Sequence, residues 1–208
     1  LWTQDVTGKL PDLAPPGQPA PAVDTDAIDR AVKLIASARA PMIVVGGGAQ
    51  GDAGLVRQLV ARTGAPVVAF RTGHGVMPSD DPLSIGMPVA HSLWTDVDLV
   101  IGLGTRLQSQ VMSWGHDDDM KIIHIDIDET QIGRSAPVDV GIHARLADAL
   151  PLLISAVEDL AEPNPDWADR TADAKARRAA DYREKMRPQL EWLGAIRDAL
   201  PRDGIFVD

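Results

Sequence analysis

Chemistry in this chain is most plausible where small residues gather. Gly46, Gly47 and Gly48 stand between an apolar run, Met42-Ile43-Val44-Val45, and a helical pattern with Leu55, Val56, Leu59 and Val60. Glycines there let a phosphate approach backbone N–H groups at a helix N-terminus. Glycine at 46, 48 and 51 meets the G-x-G-x-x-G spacing. An NAD site would also need an acidic residue about 20 positions on, to hold a ribose. The second apolar run ends instead in Phe70-Arg71, and a basic residue suits a phosphate better than a ribose hydroxyl. The residues alone leave two readings open: a nucleotide cradle, or glycines that serve only a tight turn.

Other reactive types are present without a partner. His116 and Asp117 to Asp119, with His124 nearby, have the types of a metal site, but the aspartates precede a strand, where carboxylates ordinarily cap a turn, and His124 sits on the strand itself. Ser109 and Ser113 lack a nucleophile elbow and an identifiable base. Tyr182 and Lys185 are three apart, not the four of a tyrosine–lysine oxidoreductase pair, and His74 and His91 stand alone. No residue is assigned as catalytic and none as a metal ligand.

Charge and composition narrow the classes further. A net charge of -10 opposes binding to nucleic acid, whose affinity comes from Lys and Arg displacing counterions. The chain has no cysteine, which excludes disulfides and thiol chemistry and fits a reducing compartment, so the cytoplasm is the expectation. No apolar run reaches the roughly 18 residues of a membrane span, so no membrane partner is expected. The sequence opens Leu-Trp-Thr and ends in an apolar Phe206-Val207, which suggests a piece of a longer protein.

The elements that must position these residues follow from periodicity. Pro11, Pro15, Pro16, Pro19 and Pro21 make residues 1–24 a linker. Ile28, Ala31, Val32, Leu34, Ile35 and Ala38 predict a helix over about 26–38, with Asp24, Thr25 and Asp26 as capping candidates. Strands are expected at 42–45, 66–70, 98–101, 121–127 and 138–142, each mainly apolar, and the continuous run 42–45 is expected to be covered on both faces. A helix is expected from near Asp148 to near Leu160, with Pro151 in its first turn. The alternation implies an α/β fold, a Rossmann-like doubly wound parallel sheet of about six strands, with a helical C-terminal extension. Residues 25–161 form this domain, and 162–188 a charged helical connector with few core positions, Trp167 and Tyr182 among them. Residues 189–208, a helix over 189–199 and a strand over 205–207, suit the opening of a further domain.

In this order the segments resemble a known family. Ala38-Arg39-Ala40-Pro41-Met42-Ile43-Val44-Val45-Gly46-Gly47-Gly48 is similar to the opening of the central domain of thiamine-diphosphate enzymes of the acetolactate synthase type. Gly64-Ala65-Pro66-Val67-Val68, the turn from Gly73 to Gly86, Asp98 to Arg106, and Ile123 to Asp128 resemble its later segments in order. The resemblance covers about 26–160 and implies a non-catalytic domain. The parent enzyme would use thiamine diphosphate and Mg2+ on a 2-oxo acid, as a lyase or transferase. The activating glutamate and the magnesium motif would come from N- and C-terminal domains, the expected partners, in a homodimer or homotetramer. This region alone would be inactive.

Some relatives bind FAD or ADP in the central domain. The positions matching that use are Gly46, Gly47, Gly48, Arg71, Thr72, Arg106, Asp126 and Asp128. The sequence departs from flavin-binding members in its short 86–98 segment with Pro88, and in Gly141-Ile142-His143-Ala144. A freestanding FAD- or ADP-type nucleotide-binding module is the alternative reading.

Overall fold

The computed structural model describes residues 20–158, 160, 163–201 and 204. Most of the Pro-rich linker and the 205–207 segment lie outside these residues. Six strands form one parallel sheet: β1 (Pro41–Val45), β2 (Val67–Ala69), β3 (Ser84–Ile85), β4 (Leu99–Leu103), β5 (Lys121–Asp126) and β6 (Val140–His143). Their spatial order is β3-β2-β1-β4-β5-β6, the doubly wound arrangement whose order reverses between β1 and β4. Ligands in such sheets bind outside the carboxyl ends of the strands at that reversal.

Successive residues of a strand point to opposite faces, which explains why β1 and β4, buried at every position, carry no polar side chain. Ile43, Val45, Ile101, Leu103, Ile123 and Ile125 face one layer with α1 (Thr25–Ser37), α2 (Ala53–Thr63) and α5 (Leu146–Ala156). Met42, Val44, Val100 and Ile122 face the other, with α3 (Met87–Leu93), α4 (Gln108–Trp114) and α6 (Pro165–Lys185). Buried side chains close both layers over the central strands, and partial exposure is confined to the outer strands and the start of β5.

Local chemistry sets the helix ends. Asp24 caps α1 by accepting from the Ala27 N–H at 3.1 Å. Gly64 ends α2 in the left-handed region, φ 62°, where glycine carries no Cβ penalty. α5 starts at Leu146, two residues before the position expected from Pro151, so the proline lies in the helix interior. α3 and α4 have no counterpart in the sequence reading, and neither has the two-residue β3.

α6 packs on the sheet through Trp167, Thr171 and Ala174, all buried. Trp167 Nε1 donates to the Pro41 carbonyl at 2.8 Å, and Asn164 Nδ2 donates to the Arg39 carbonyl at 2.9 Å. Lys175 Nζ donates to the carbonyls of Asp81, Pro82 and Ser84 at 2.8 to 2.9 Å, fixing the short edge strand β3. Tyr182 is half-buried instead, with the Arg178 guanidinium 5.3 Å from its ring centre. α7 (Arg187–Ala199) buries no residue.

Candidate functional site

The loops leaving β1 and β4 meet at the reversal. Gly46 N–H donates to the Leu103 carbonyl and Gly48 N–H to the Gly104 carbonyl, both at 3.1 Å. A Cβ on Gly46 would overlap the Gly104 carbonyl oxygen, and one on Gly48 would lie 2.9 Å from the Gly104 Cα. These two glycines therefore serve the contact between loops, and their N–H groups are spent on it. The triplet also does not open an α-helix directly: Gly47–Asp52 form a 3-10 turn before α2 begins at Ala53.

The ridge formed by Gly104, Thr105 and Arg106 divides the crevice in two. One recess, about 500 Å³, includes Gly46, Gly47, Arg71, Thr72 and Arg106 in its lining, with Gln108 and Gln110 from α4. The other, about 460 Å³, includes Gly48, Arg106, Asp126 and Asp128, with Asp52 and Arg145. All eight positions picked out in the sequence thus lie around one crevice, but only Arg106 reaches both halves. Asp52, Gln108, Gln110 and Arg145 were not picked out, and no spacing rule pointed to them.

Backbone strain gathers in the first recess. Arg71 (φ 43°) and Leu107 (φ 53°) are the positive-φ residues other than glycine among the described residues, and both line it. Such conformations cost roughly 1–3 kcal/mol each and persist where surrounding structure holds them. Arg71 is exposed, its guanidinium 5.3 Å from the Phe70 ring centre. Leu107 is buried, filling space above Gly102 that a Cβ there would occupy.

Beneath the ridge, His124 on β5 is buried, and its Nε2–H donates to the Thr105 carbonyl at 2.7 Å. Burial pushes its imidazole below the ordinary 6.5, although the Thr105 hydrogen bond and nearby Asp126 favour the charged form. It is a neutral support for the ridge. In the second recess, Asp126 Oδ1 accepts from the Asp128 N–H at 2.9 Å. The hydroxyl of Thr130, the amide of Gln131 and the Thr130 N–H donate to Asp128 and hold its carboxyl below the ordinary range.

Two of the remaining sequence candidates do structural work. Asp117 Oδ1 accepts from the N–H groups of Asp119 and Met120, capping the turn before β5. His91 stacks at 5.3 Å on Trp114. No group of three or more His, Cys, Asp or Glu gathers as metal ligands among the described residues, and no helix among them is long and apolar enough to cross a membrane. A third recess, about 440 Å³, lies at the opposite end of the sheet beside Arg39, Arg62, Asn164 and Trp167. There Arg62 is paired with Glu158 at 2.6 Å, and Asn164 and Trp167 donate to carbonyls, so most of its polar walls are committed.

Comparison with known proteins adds the decisive observation: residues 28–153, which include all six strands and both halves of the crevice, match the family described as thiamine pyrophosphate enzyme, central domain. The chain belongs to this family. Similar proteins include the acetolactate synthase isozyme 1 large subunit of Escherichia coli K12, 32% identical over 74% of this chain. The acetolactate synthase large subunit of Corynebacterium glutamicum is 35% identical over 76%, and the glyoxylate carboligase of Escherichia coli O157:H7 is 32% identical over 67%. The chain spans 28%, 27% and 26% of those proteins respectively.

For a thiamine pyrophosphate enzyme central domain, the donor set decides which group the crevice can take. Thiamine diphosphate with its magnesium does not fit: the N–H groups of Gly46 and Gly48 are engaged, and Asp128 is held in its own turn. Those N–H groups are equally closed to a nucleotide phosphate, which only side chains could hold here. Arg71 and Arg106 offer charged donors for phosphate, and Asp52 and Asp126 offer acceptors for ribose hydroxyls. A flavin has less support, because α3 and the turn Trp94–Asp96 fill the 86–98 segment and bury Val89, Ala90, Leu93 and Trp94 against the sheet.

Proposed function

We propose that this chain is the central, spacing domain of an acetolactate synthase-like enzyme that makes or breaks a carbon–carbon bond beside the carbonyl of a 2-oxo acid, and that its crevice holds an ADP-type nucleotide. The observation that carries this reading is the family match across the whole sheet together with the two recesses at the strand-order reversal. In the parent enzyme thiamine diphosphate would supply the carbanion chemistry from sites on other domains, with Mg2+ holding its diphosphate. The partners are those N- and C-terminal domains, in a homodimer or homotetramer. Within this chain, Arg71 and Arg106 bind and orient the nucleotide phosphates, Asp126 receives the ribose, and His124 keeps the Thr105 carbonyl in place below them.

The second reading, a freestanding nucleotide-binding module, rests on the same crevice and differs in what lies beyond the chain. The test is turnover of pyruvate by the purified chain with thiamine diphosphate and Mg2+ added, beside thermal melts with ADP or thiamine diphosphate. The reading expects no turnover, a melting temperature raised by ADP, and none raised by thiamine diphosphate. Detectable turnover contradicts the spacing role, and a melt indifferent to ADP contradicts the nucleotide.

A further inference from the structure

A smaller recess of about 190 Å³ adjoins the crevice, sharing Arg106 with both halves, Gln108 with one and Gln131 with the other, and is completed by Met112, Arg134 and Ser135. Two guanidinium groups share its wall. The chain carries 30 Asp and Glu against 20 Lys and Arg, and Arg30, Arg62, Arg145, Arg170, Arg178 and Arg187 each have a carboxylate partner. Arg106 and Arg134 form no ion pair among the described residues, a state they share with Arg39, Arg57, Arg71, Arg177, Arg183 and Arg197; here the two stand together in one recess. No carboxylate lines this recess. The nearest acidic influence is Asp128, whose charge Arg134 senses and whose oxygens already accept from Thr130 and Gln131.

The other polar groups fit an anion as well. The Ser135 hydroxyl donates to the Arg106 carbonyl at 3.0 Å, which ties the 131–135 loop to the ridge and fixes the spacing of the two arginines' backbones. The Gln131 amide is turned to Asp128 and Thr130, which leaves the Gln108 side chain as the neutral donor without an internal hydrogen bond. Two guanidinium forks and an amide around a small space match the several oxygens of a phosphate group better than a single carboxylate.

We propose that this recess is a phosphate-group subsite in which Arg106 and Arg134 hold the oxygens, with Gln108 as an added donor. The phosphate comes either from free orthophosphate or from a nucleotide lying in the adjoining crevice, which shares Arg106. The second source rests on the nucleotide reading above, and the first does not.

The test is calorimetric titration of orthophosphate, and separately of ADP, into the full chain at constant ionic strength, using wild type, Arg134→Gln and Arg106→Gln. Both substitutions lie at exposed positions, and a circular dichroism melt checks that each variant folds. The expected result is roughly tenfold weaker orthophosphate binding in either variant, the loss of one charge-assisted contact. ADP binding that falls in parallel in Arg134→Gln assigns the phosphate to the nucleotide, and ADP binding unchanged by Arg134→Gln assigns it to free phosphate. Orthophosphate binding with this arginine dependence, without ADP binding, sinks the nucleotide reading and leaves the subsite standing. Wild-type protein that binds neither ligand, or Arg134→Gln protein that binds both as wild type does, overturns the subsite.

Discussion

The two ends of the sheet use the same kinds of residue for opposite purposes. At the end where the strands begin, polar side chains are bonded to backbone. Asp98 accepts from the N–H groups of Arg39 and Ala40 at 2.7 and 2.9 Å, and Asp139 accepts from the Ile122 N–H at 2.9 Å. Trp167 and Asn164 complete that end from α6. At the end where the strands finish, Arg71, Arg106 and Arg134 carry charge with no internal ion pair, and the strained backbone of Arg71 and Leu107 is held in place. Most polar side chains at the first end are bonded, Arg39 excepted, whereas several charged donors at the second are not, and that difference separates residues that hold the domain from residues that can hold a ligand.

The largest expected effect tests the closed end. Trp167→Ala removes a buried aromatic side chain and its bond to Pro41, and should cost about 3–5 kcal/mol in urea unfolding. A loss below about 1 kcal/mol would mean that α6 is not part of the folded unit. Gly46→Ala, at the open end, should cost about 1–3 kcal/mol through overlap with the β4 loop. ADP binding should fall with it. If binding survives at full strength, the meeting of the two loops does not shape the crevice.

The smallest effect concerns pH. The folded-state pKa of His124 lies below 6.5, so the unfolded chain binds the proton more readily. Its contribution is fully present above the unfolded value and is lost as pH falls below about 6.5, with a slope of at most about 1.4 kcal/mol per pH unit. Stability measured from pH 7 to pH 5 should decline more gently in His124→Gln, which keeps a donor for Thr105. Equal slopes in the two proteins would show that His124 is not buried as a neutral ring.

Much of the fold was legible in residue order. β1, β2, β4, β5 and β6 announce themselves by apolar runs bounded by Gly or polar residues, unbroken where both faces are buried as in Met42 to Val45. β3 escaped because two residues carry no periodicity, and Ser84 is held there by Lys175, 91 positions away. α3 and α4 escaped because each is seven residues long, and α4 follows Leu107 in a conformation its sequence does not favour. The eight positions singled out in the sequence do line one crevice, but their division by the Gly104 ridge was not legible. That division depends on β4 lying beside β1, a contact between residues almost 60 positions apart in the chain. Arg134 gave no signal, since nothing in its neighbours marks a solvent-facing arginine as unpaired.

The most direct test of the contrast between the ends is amide hydrogen exchange with and without saturating ADP. Protection should rise at residues 46–48, 71–72, 104–106 and 126–128, and stay unchanged at 38–41, 98, 122 and 139. Protection that rises at the beginnings of the strands, or nowhere, would contradict the assignment of the strand ends as the binding face.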